Sequence, residues 1–209
     1  MAILKINPNR MELLKLRKRR DVAQRGHKLL KDKLDELMKQ FLEQVRKNQK
    51  LRKEIEEKLA KAYQIFAVAR SESSAKVIEE ALFCPRMVTS VRISEKRLMG
   101  VRVPEFEIEQ EGVFDCYGLL TTPAVLDRAL FLLNGTTPLL IKLSEAEKAV
   151  ELLAIEIEKT RRRVNALEHV LIPQLNETVK YINMKLDEAE RENRTRLMKI
   201  KEMVSGGSV

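Results

Sequence analysis

Two segments of this 209-residue chain, 8–82 and 138–204, each carry a hydrophobic stripe at helical spacing with hardly a helix breaker inside it. At 1.5 Å per residue, each predicts a rod of about 100 Å. In the first segment Leu30, Leu34, Leu37, Phe41, Val45, Asn48, Leu51, Ile55, Leu59, Ala62 and Phe66 cover 36 residues in ten steps, 3.6 per step. In the second, Val150, Leu153, Ile157, Thr160, Val164, Leu167 and Leu171 step at 3.5. From Leu171 the stripe continues through Leu175, Val179, Ile182, Leu186, Ala189, Asn193, Leu197, Ile200 and Val204, which is 33 residues in nine steps, or 3.67. A period of 3.5 favours left-handed coiling and 3.67 right-handed coiling, so the pair is expected to wind weakly and to change hand near Pro173. That proline lacks a backbone donor and is expected to kink its helix.

The residues that punctuate the stripes set the expected boundaries. Asn7-Pro8 reads as a helix start, with proline at the first helical position. Cys84-Pro85 reads as its end, because the residue before proline disfavours the helical region. Thr137-Pro138 opens the last helix in the same way, and Gly206-Gly207 ends it. Between them, Val88–Ile93 and Met99–Val103 favour strand, with Ser94-Glu95-Lys96-Arg97 as their turn. Phe106–Glu109 and Val113–Leu119 read as further short extended pieces. Thr122-Pro123 starts a short helix that Asn134-Gly135 ends. The expected fold is mainly α, a long antiparallel two-helix coiled coil of the N- and C-terminal helices with a small inserted β-hairpin and short-helix module. Its expected parts are a first helix at 8–84, the insert at 85–136, a C-terminal helix at 137–205 and a flexible tail at 206–209.

Composition excludes several function classes. Aromatic residues are 4%, tryptophan is absent and charged residues are 34%, which leaves little material for a large compact core. Met1–Leu4 runs straight into Lys5, so no signal peptide is expected. The longest uncharged run, Ala129–Ile141, is too short to span a bilayer and contains Gly135 and Pro138. Cys84 and Cys116 lack the spacing of a metal or redox motif and read as reduced thiols, the alternative being a disulfide within the insert. His27 and His169 are the only histidines, and no phosphate loop or zinc-protease motif is present. No catalytic residue, cofactor or metal site is assigned.

Charge singles out one end. Residues 1–33 hold eleven basic side chains (Lys5, Arg10, Lys15, Arg17, Lys18, Arg19, Arg20, Arg25, Lys28, Lys31 and Lys33) against Glu12, Asp21 and Asp32. That is +8 of the chain's net +9. An antiparallel hairpin adds Arg191, Arg194, Arg196, Lys199 and Lys201 to the same end. Such a patch suits a socket in a protein partner, a solvated face, or nucleic acid. No interleaved aromatic platform accompanies it, which counts against nucleic acid. Arg161-Arg162-Arg163 fans over about 200° of a helix and so cannot form a single face. Gly26 within the first helix implies close packing against a neighbouring helix or close approach of a partner's backbone.

Two ordered motifs then carry a resemblance. The run Asn7-Pro8-Asn9-Arg10-Met11-Glu12-Leu13-Leu14, followed by Arg25-Gly26-His27-Lys28-Leu29-Leu30-Lys31-Asp32-Lys33 and Asp35-Glu36-Leu37, resembles the N-terminal helix of the D subunit of V-type and A-type rotary ATPases. Glu158-Lys159-Thr160-Arg161-Arg162-Arg163-Val164-Asn165-Ala166-Leu167-Glu168, continuing through Ile172-Pro173-Gln174-Leu175, Tyr181-Ile182 and Met184-Lys185-Leu186, resembles that family's C-terminal helix. Residues 85–136 match only in outline. The resemblance implies a non-catalytic central rotor shaft without cofactors, peripheral on the cytoplasmic face of a membrane. Its implied partners are the A and B subunits of the catalytic hexamer, the small F subunit, and the ring-capping d or C subunit. Coupling to proton or sodium transport would pass through the assembly, and the chain itself would touch no nucleic acid. The runner-up readings are a nucleic-acid-binding coiled coil and a prefoldin-like chaperone.

On these grounds the expected socket contacts are Arg10, Arg17, Arg20, Arg25, His27, Lys28, Arg191, Arg194 and Arg196. A regulatory hairpin is expected around Val88, Val91, Ile93, Met99, Val101 and Val103. The expected shaft seam runs through Leu34, Phe41, Ile55, Leu59 and Phe66 on one helix, and Leu153, Ile157, Leu167, Leu175, Ile182 and Leu186 on the other.

Overall fold

The first helix starts slightly later than Asn7-Pro8 suggests. Asn9 is the cap: its side-chain oxygen accepts from the Met11 N–H at 3.1 Å, and its carbonyl accepts from Leu13 N–H at 3.0 Å. From there α1 runs Arg10–Glu72, α2 Ala75–Leu82, β1 Val88–Leu98, β2 Val101–Glu111 and α3 Ala124–Ala166. A π-turn at Leu167–Leu171 then leads into α4, Ile172–Gly206. The computed structural model describes residues 4, 6–83, 86–118 and 120–206. Cys84 and Pro85, and with them the expected helix stop and any pairing of Cys84, lie outside the described residues, as does the tail beyond Gly206.

Three boundaries differ from expectation. The first helix does not run unbroken to residue 84: it breaks at Ser73-Ser74, and Ser74 is the extended residue before α2. The last helix opens at Ala124 rather than Thr137, passing through both Gly135 and Pro138. Thr136 and Thr137 hydroxyls donate back to the Leu133 carbonyl at 2.7 and 3.2 Å, in the turn that precedes the proline. The run is then long and apolar enough to cross a membrane by length and composition, and about one-sixth of its apolar window, Leu126, Ala129 and Thr136, is buried. Residues 113–118 form an irregular segment with bends at Phe114 and Tyr117 rather than strand.

Near Pro173 the helix widens into a π-turn. The Ile172 N–H donates to the Leu167 carbonyl five residues back. A regular α-helix would set the Pro173 ring against the His169 carbonyl and leave that carbonyl without its donor; the wide turn falls just before the proline, within the turn where that conflict would arise.

The chain forms two compact units, Met1–Glu36 with Glu158–Val209, and Leu37–Ile157. In the first, Leu13, Leu16 and Ala23 of α1 are buried with Leu175, Val179 and Ile182 of α4, and Leu4, Ile6, Leu171 and Leu186 pack around them. The helices run antiparallel, as the Arg10–Glu190, Arg17–Asn183 and His27–Glu168 pairs require. Thr178, fully buried in this seam, accepts from the Leu4 N–H at 3.2 Å and donates to Gln174 at 2.7 Å, so it leaves no polar group unpaired. In the second unit the helices bury Leu37, Ile55, Ala62, Ala149 and Leu153. A further cluster joins Ala69, Ile78 and Leu126, with Phe66, Tyr117, Val125 and Leu130 around it.

Among the buried and half-buried positions of α1, one continuous row runs 13, 16, 20, 23, 27, 30, 34, 37, 41, 45, 48, 51, 55, 59, 62, 66 and 69, which is 56 residues in sixteen steps, or 3.5, with further half-buried positions beside it. The period over the whole helix is therefore the heptad value, not the 3.6 of the 30–66 stretch. Val103, Leu98 and Val101 anchor the hairpin on the Leu37–Ile157 unit, and Phe106 donates its N–H to the Glu145 carboxylate of α3 at 3.3 Å.

Candidate functional site

The terminal unit holds all nine residues expected at a socket, and the structure distinguishes them by partner. Arg10 is paired with Glu190. Arg17 donates to Asn183 at 3.2 Å. Arg20 turns onto its neighbour Asp21, and Arg25 donates to the Asp21 carbonyl. His27 lies 3.3 Å from Glu168 across the two helices, and Arg196 lies 3.6 Å from Glu192. Four of these six contacts, those of Arg10, Arg17, Arg25 and His27, close the unit on itself or on its own backbone. Lys28 is exposed, and Arg191 and Arg194 are exposed on α4 with no ion pair among the described residues.

The seam residues sort just as sharply. Leu37, Ile55, Ala62, Leu153, Leu175 and Ile182 are buried, while Leu34, Phe41, Leu59, Phe66, Ile157, Leu167 and Leu186 are half-buried. Beyond Leu186 the stripe goes on but nothing covers it. Every residue from Asp187 to Val204 is exposed, with Leu197 at 65%, Ile200 at 55% and Val204 at 73%. The register of the two helices sets this: α1 begins at Arg10, which pairs with Glu190, and Leu4 before it reaches Thr178. About four turns of α4 therefore extend past the helix that covers the rest. At about 100° per residue, Arg191 falls on the side away from Leu197, Ile200 and Val204, while Arg194 and Lys201, three residues before Leu197 and four after it, border the stripe. Met203, exposed, flanks the stripe on its other side, and Met198, also exposed, lies with Arg191. A helix whose apolar stripe is bordered and backed by cations can dock in an apolar sleeve with acidic contacts.

The composition of this stripe was legible in the sequence; its lack of cover was not. The overhang follows from the register of the two helices, which the period alone leaves unset.

On the other unit, β1 and β2 pair antiparallel one-for-one from Val88↔Glu111 to Leu98↔Val101. Their turn is Met99-Gly100, with φ of 50° and 85°, rather than Ser94–Arg97. Met99 is thus a turn residue, and the charged run lies within β1. Val88, Val91 and Ile93 are exposed; Val103 is buried and Val101 half-buried. At the base, Gly112 has φ +98°, and a Cβ there would stand 2.2 Å from the Arg86 carbonyl oxygen, so only glycine fits. Tyr117 donates to Asp127 at 2.5 Å, tying the segment after the hairpin to α3. Burial, first, and then that carboxylate raise the Tyr117 pKa above the ordinary phenol value.

Comparison with known proteins decides what kind of chain carries these surfaces. A sequence profile of the ATP synthase D subunit matches residues 12–202. The chain belongs to the ATP synthase D subunit family. It is 54% identical to the V-type ATP synthase D subunit of Thermoanaerobacter sp. (strain X514), over 99% of this chain and 100% of that protein. Similar relatives are the V-type ATP synthase D subunits of Acetivibrio thermocellus, at 53% over 98% and 94%, and of Clostridioides difficile, at 51% over 98% and 93%. The match spans both long helices, where the two ordered motifs lie. It also extends through residues 85–136, where the motifs were least distinctive.

Proposed function

We propose that this chain is the central rotor shaft of a V-type ATP synthase, a non-catalytic subunit that carries torque between ATP chemistry and ion transport. In this reading the terminal unit seats in the hexamer of A and B subunits. The small F subunit and the ring-capping d or C subunit take the Leu37–Ile157 unit, and the complex holds the chain peripherally on the cytoplasmic face of its membrane. The observation that carries the reading is the uncovered stripe of α4, Asp187 to Val204, in a chain of this family. An exposed Leu-Ile-Val face on a solvated helix has no role in the fold of its own unit, and burial in a sleeve would remove it from water. A shaft asymmetric about its axis contacts each catalytic site differently, and differential contact is what shifts the populations of their conformations.

The paired cations refine the test. Reversing Arg10 sets a carboxylate against Glu190 and damages the unit itself, whereas Arg191 and Arg194 are available to a partner. The double variant Arg191→Glu, Arg194→Glu is expected to keep its helical circular dichroism and to bind a reconstituted A/B hexamer at least tenfold more weakly at low salt. The deficit should shrink as salt rises. Failure of the unaltered chain to join the hexamer would overturn the reading.

A further inference from the structure

The two strands of the hairpin do not have equivalent edges. Phe106 spends its N–H on Glu145, outside the ladder, so Phe106↔Ile93 is a non-hydrogen-bonded pair. The hydroxyls of Ser90 and Ser94 reach the carbonyls of Glu109 and Glu105, their register partners, which marks the even positions of β1 as the hydrogen-bonded ones. It follows that Thr89, Val91, Ile93, Glu95 and Arg97 direct both backbone N–H and C=O away from β2. Among the described residues none of these five N–H groups finds an acceptor outside the ladder. The outer edge of β2 faces α3, and that of β1 is open over 11 residues, without a proline or a bulge.

The geometry points to the free edge of β1 as a strand-addition site for an extended, acidic segment of a partner protein. Typical strands are about 5–6 residues long, so β1 offers a full partner's length. Val91 and Ile93, 41% and 71% exposed, offer apolar side chains to a neighbour on one face. On that same face Arg97 stands opposite Arg102, and only Glu95, 3.8 Å from Arg102, offsets the pair. Arg92 and Lys96, on the other face, already reach Glu109 and Glu105. The unmet charge along the edge is positive, beside Arg97. A second copy of this chain brings β1 with the same basic excess, on a chain of net +9, so like charge opposes self-pairing. A peptide apolar at alternate positions, with a carboxylate reaching Arg97, meets both features.

The test uses the full chain and a panel of acetylated heptapeptides with valine, isoleucine or threonine at alternate positions and glutamate at the rest, against the same panel with lysine. At saturation with the best acidic peptide, amide exchange at Val91, Ile93 and Glu95 is expected to slow at least tenfold, and acidic peptides should bind at least tenfold more tightly than basic ones. Ile93→Pro removes an outward N–H that an edge strand does not need for its own ladder, and should abolish binding. Unchanged exchange at Ser90 and Ser94 reports that the hairpin is intact. Should that variant disturb the hairpin, Arg97→Glu decides instead, by inverting the preference to basic peptides. No protection with any peptide, or equal binding of both panels, overturns the proposal. So does a concentration-dependent dimer on sedimentation that Ile93→Pro abolishes, because the occupant is then a second copy.

Discussion

Gly26 lies within α1, half-buried, yet a Cβ built there meets nothing within 4 Å. The close helix packing expected from the sequence is absent, which leaves the entropic cost of a mid-helix glycine without a return inside this chain. Gly26→Ala should raise the unfolding free energy by about 1 kcal/mol in a urea titration. If hexamer docking weakens at the same time, a partner's backbone comes close at Gly26; if docking is unchanged, the glycine has no packing role. Tyr117 makes a second residue-scale case. Its folded pKa is raised by burial and Asp127, above the unfolded phenol value of about 10. The neutral phenol is therefore the stabilising form: its contribution is fully present below about pH 10 and is lost as pH rises through the folded pKa. An absorbance titration of the three tyrosines should show one phenolate forming late, and that late step should vanish in Tyr117→Phe. Neither behaviour could be read from residue order. Gly26 needed the space around it, and Tyr117 needed Asp127, ten residues on, brought within hydrogen-bond range.

At the scale of elements, local signals were reliable where one interaction dominated and failed where two competed. The stripes named the helices because burial of a periodic face outweighs propensity. The turn went to Ser94–Arg97 because a charged run looks like a loop, whereas cross-strand pairs with Glu105 and Glu109 keep Lys96 and Arg92 in strand. The deciding residue was Gly100, which takes the positive φ of a two-residue turn without a steric cost. Thr137-Pro138 looked like a helix start, but the helix passes through it, with both threonine hydroxyls bonded to the Leu133 carbonyl. Pro173 is the instructive case. A kink was expected, and a π-turn, itself a usual site of kinks, lies just before the proline, where a widened turn eases the ring against the previous turn. Pro173→Ala should therefore stabilise the chain by only about 1 kcal/mol, well short of the roughly 3 kcal/mol that a proline costs inside a regular helix. Chemical denaturation of the variant measures the difference; a gain near the full value would mean that the π-turn relieves nothing.

For the whole molecule, stability and docking reside in separable sets of residues. The core of the terminal unit ends at Ile182 with Leu186 packed beside it, while the stripe from Ala189 to Val204 is exposed throughout. Exposed side chains away from caps and cores contribute within about 0.5 kcal/mol to folding. Replacing Leu197, Ile200 and Val204 with asparagine should therefore leave the denaturation midpoint of the isolated chain nearly unchanged. The same three changes remove most of the apolar area the overhang can offer, and full burial of each such side chain is worth about 1.5–3 kcal/mol. Binding to the A/B hexamer should then fall by at least a hundredfold, with little dependence on salt because the lost contacts are apolar. The charge-reversal variant at Arg191 and Arg194 should show the opposite salt behaviour, so the pair of measurements separates sleeve from socket. A truncation after Glu190, which keeps the Arg10 partner, should reproduce the loss of docking while preserving the melting of the helical pair. If the asparagine variant instead unfolds early, α4 beyond Leu186 contributes to the fold, and its apolar stripe is no longer evidence for a partner.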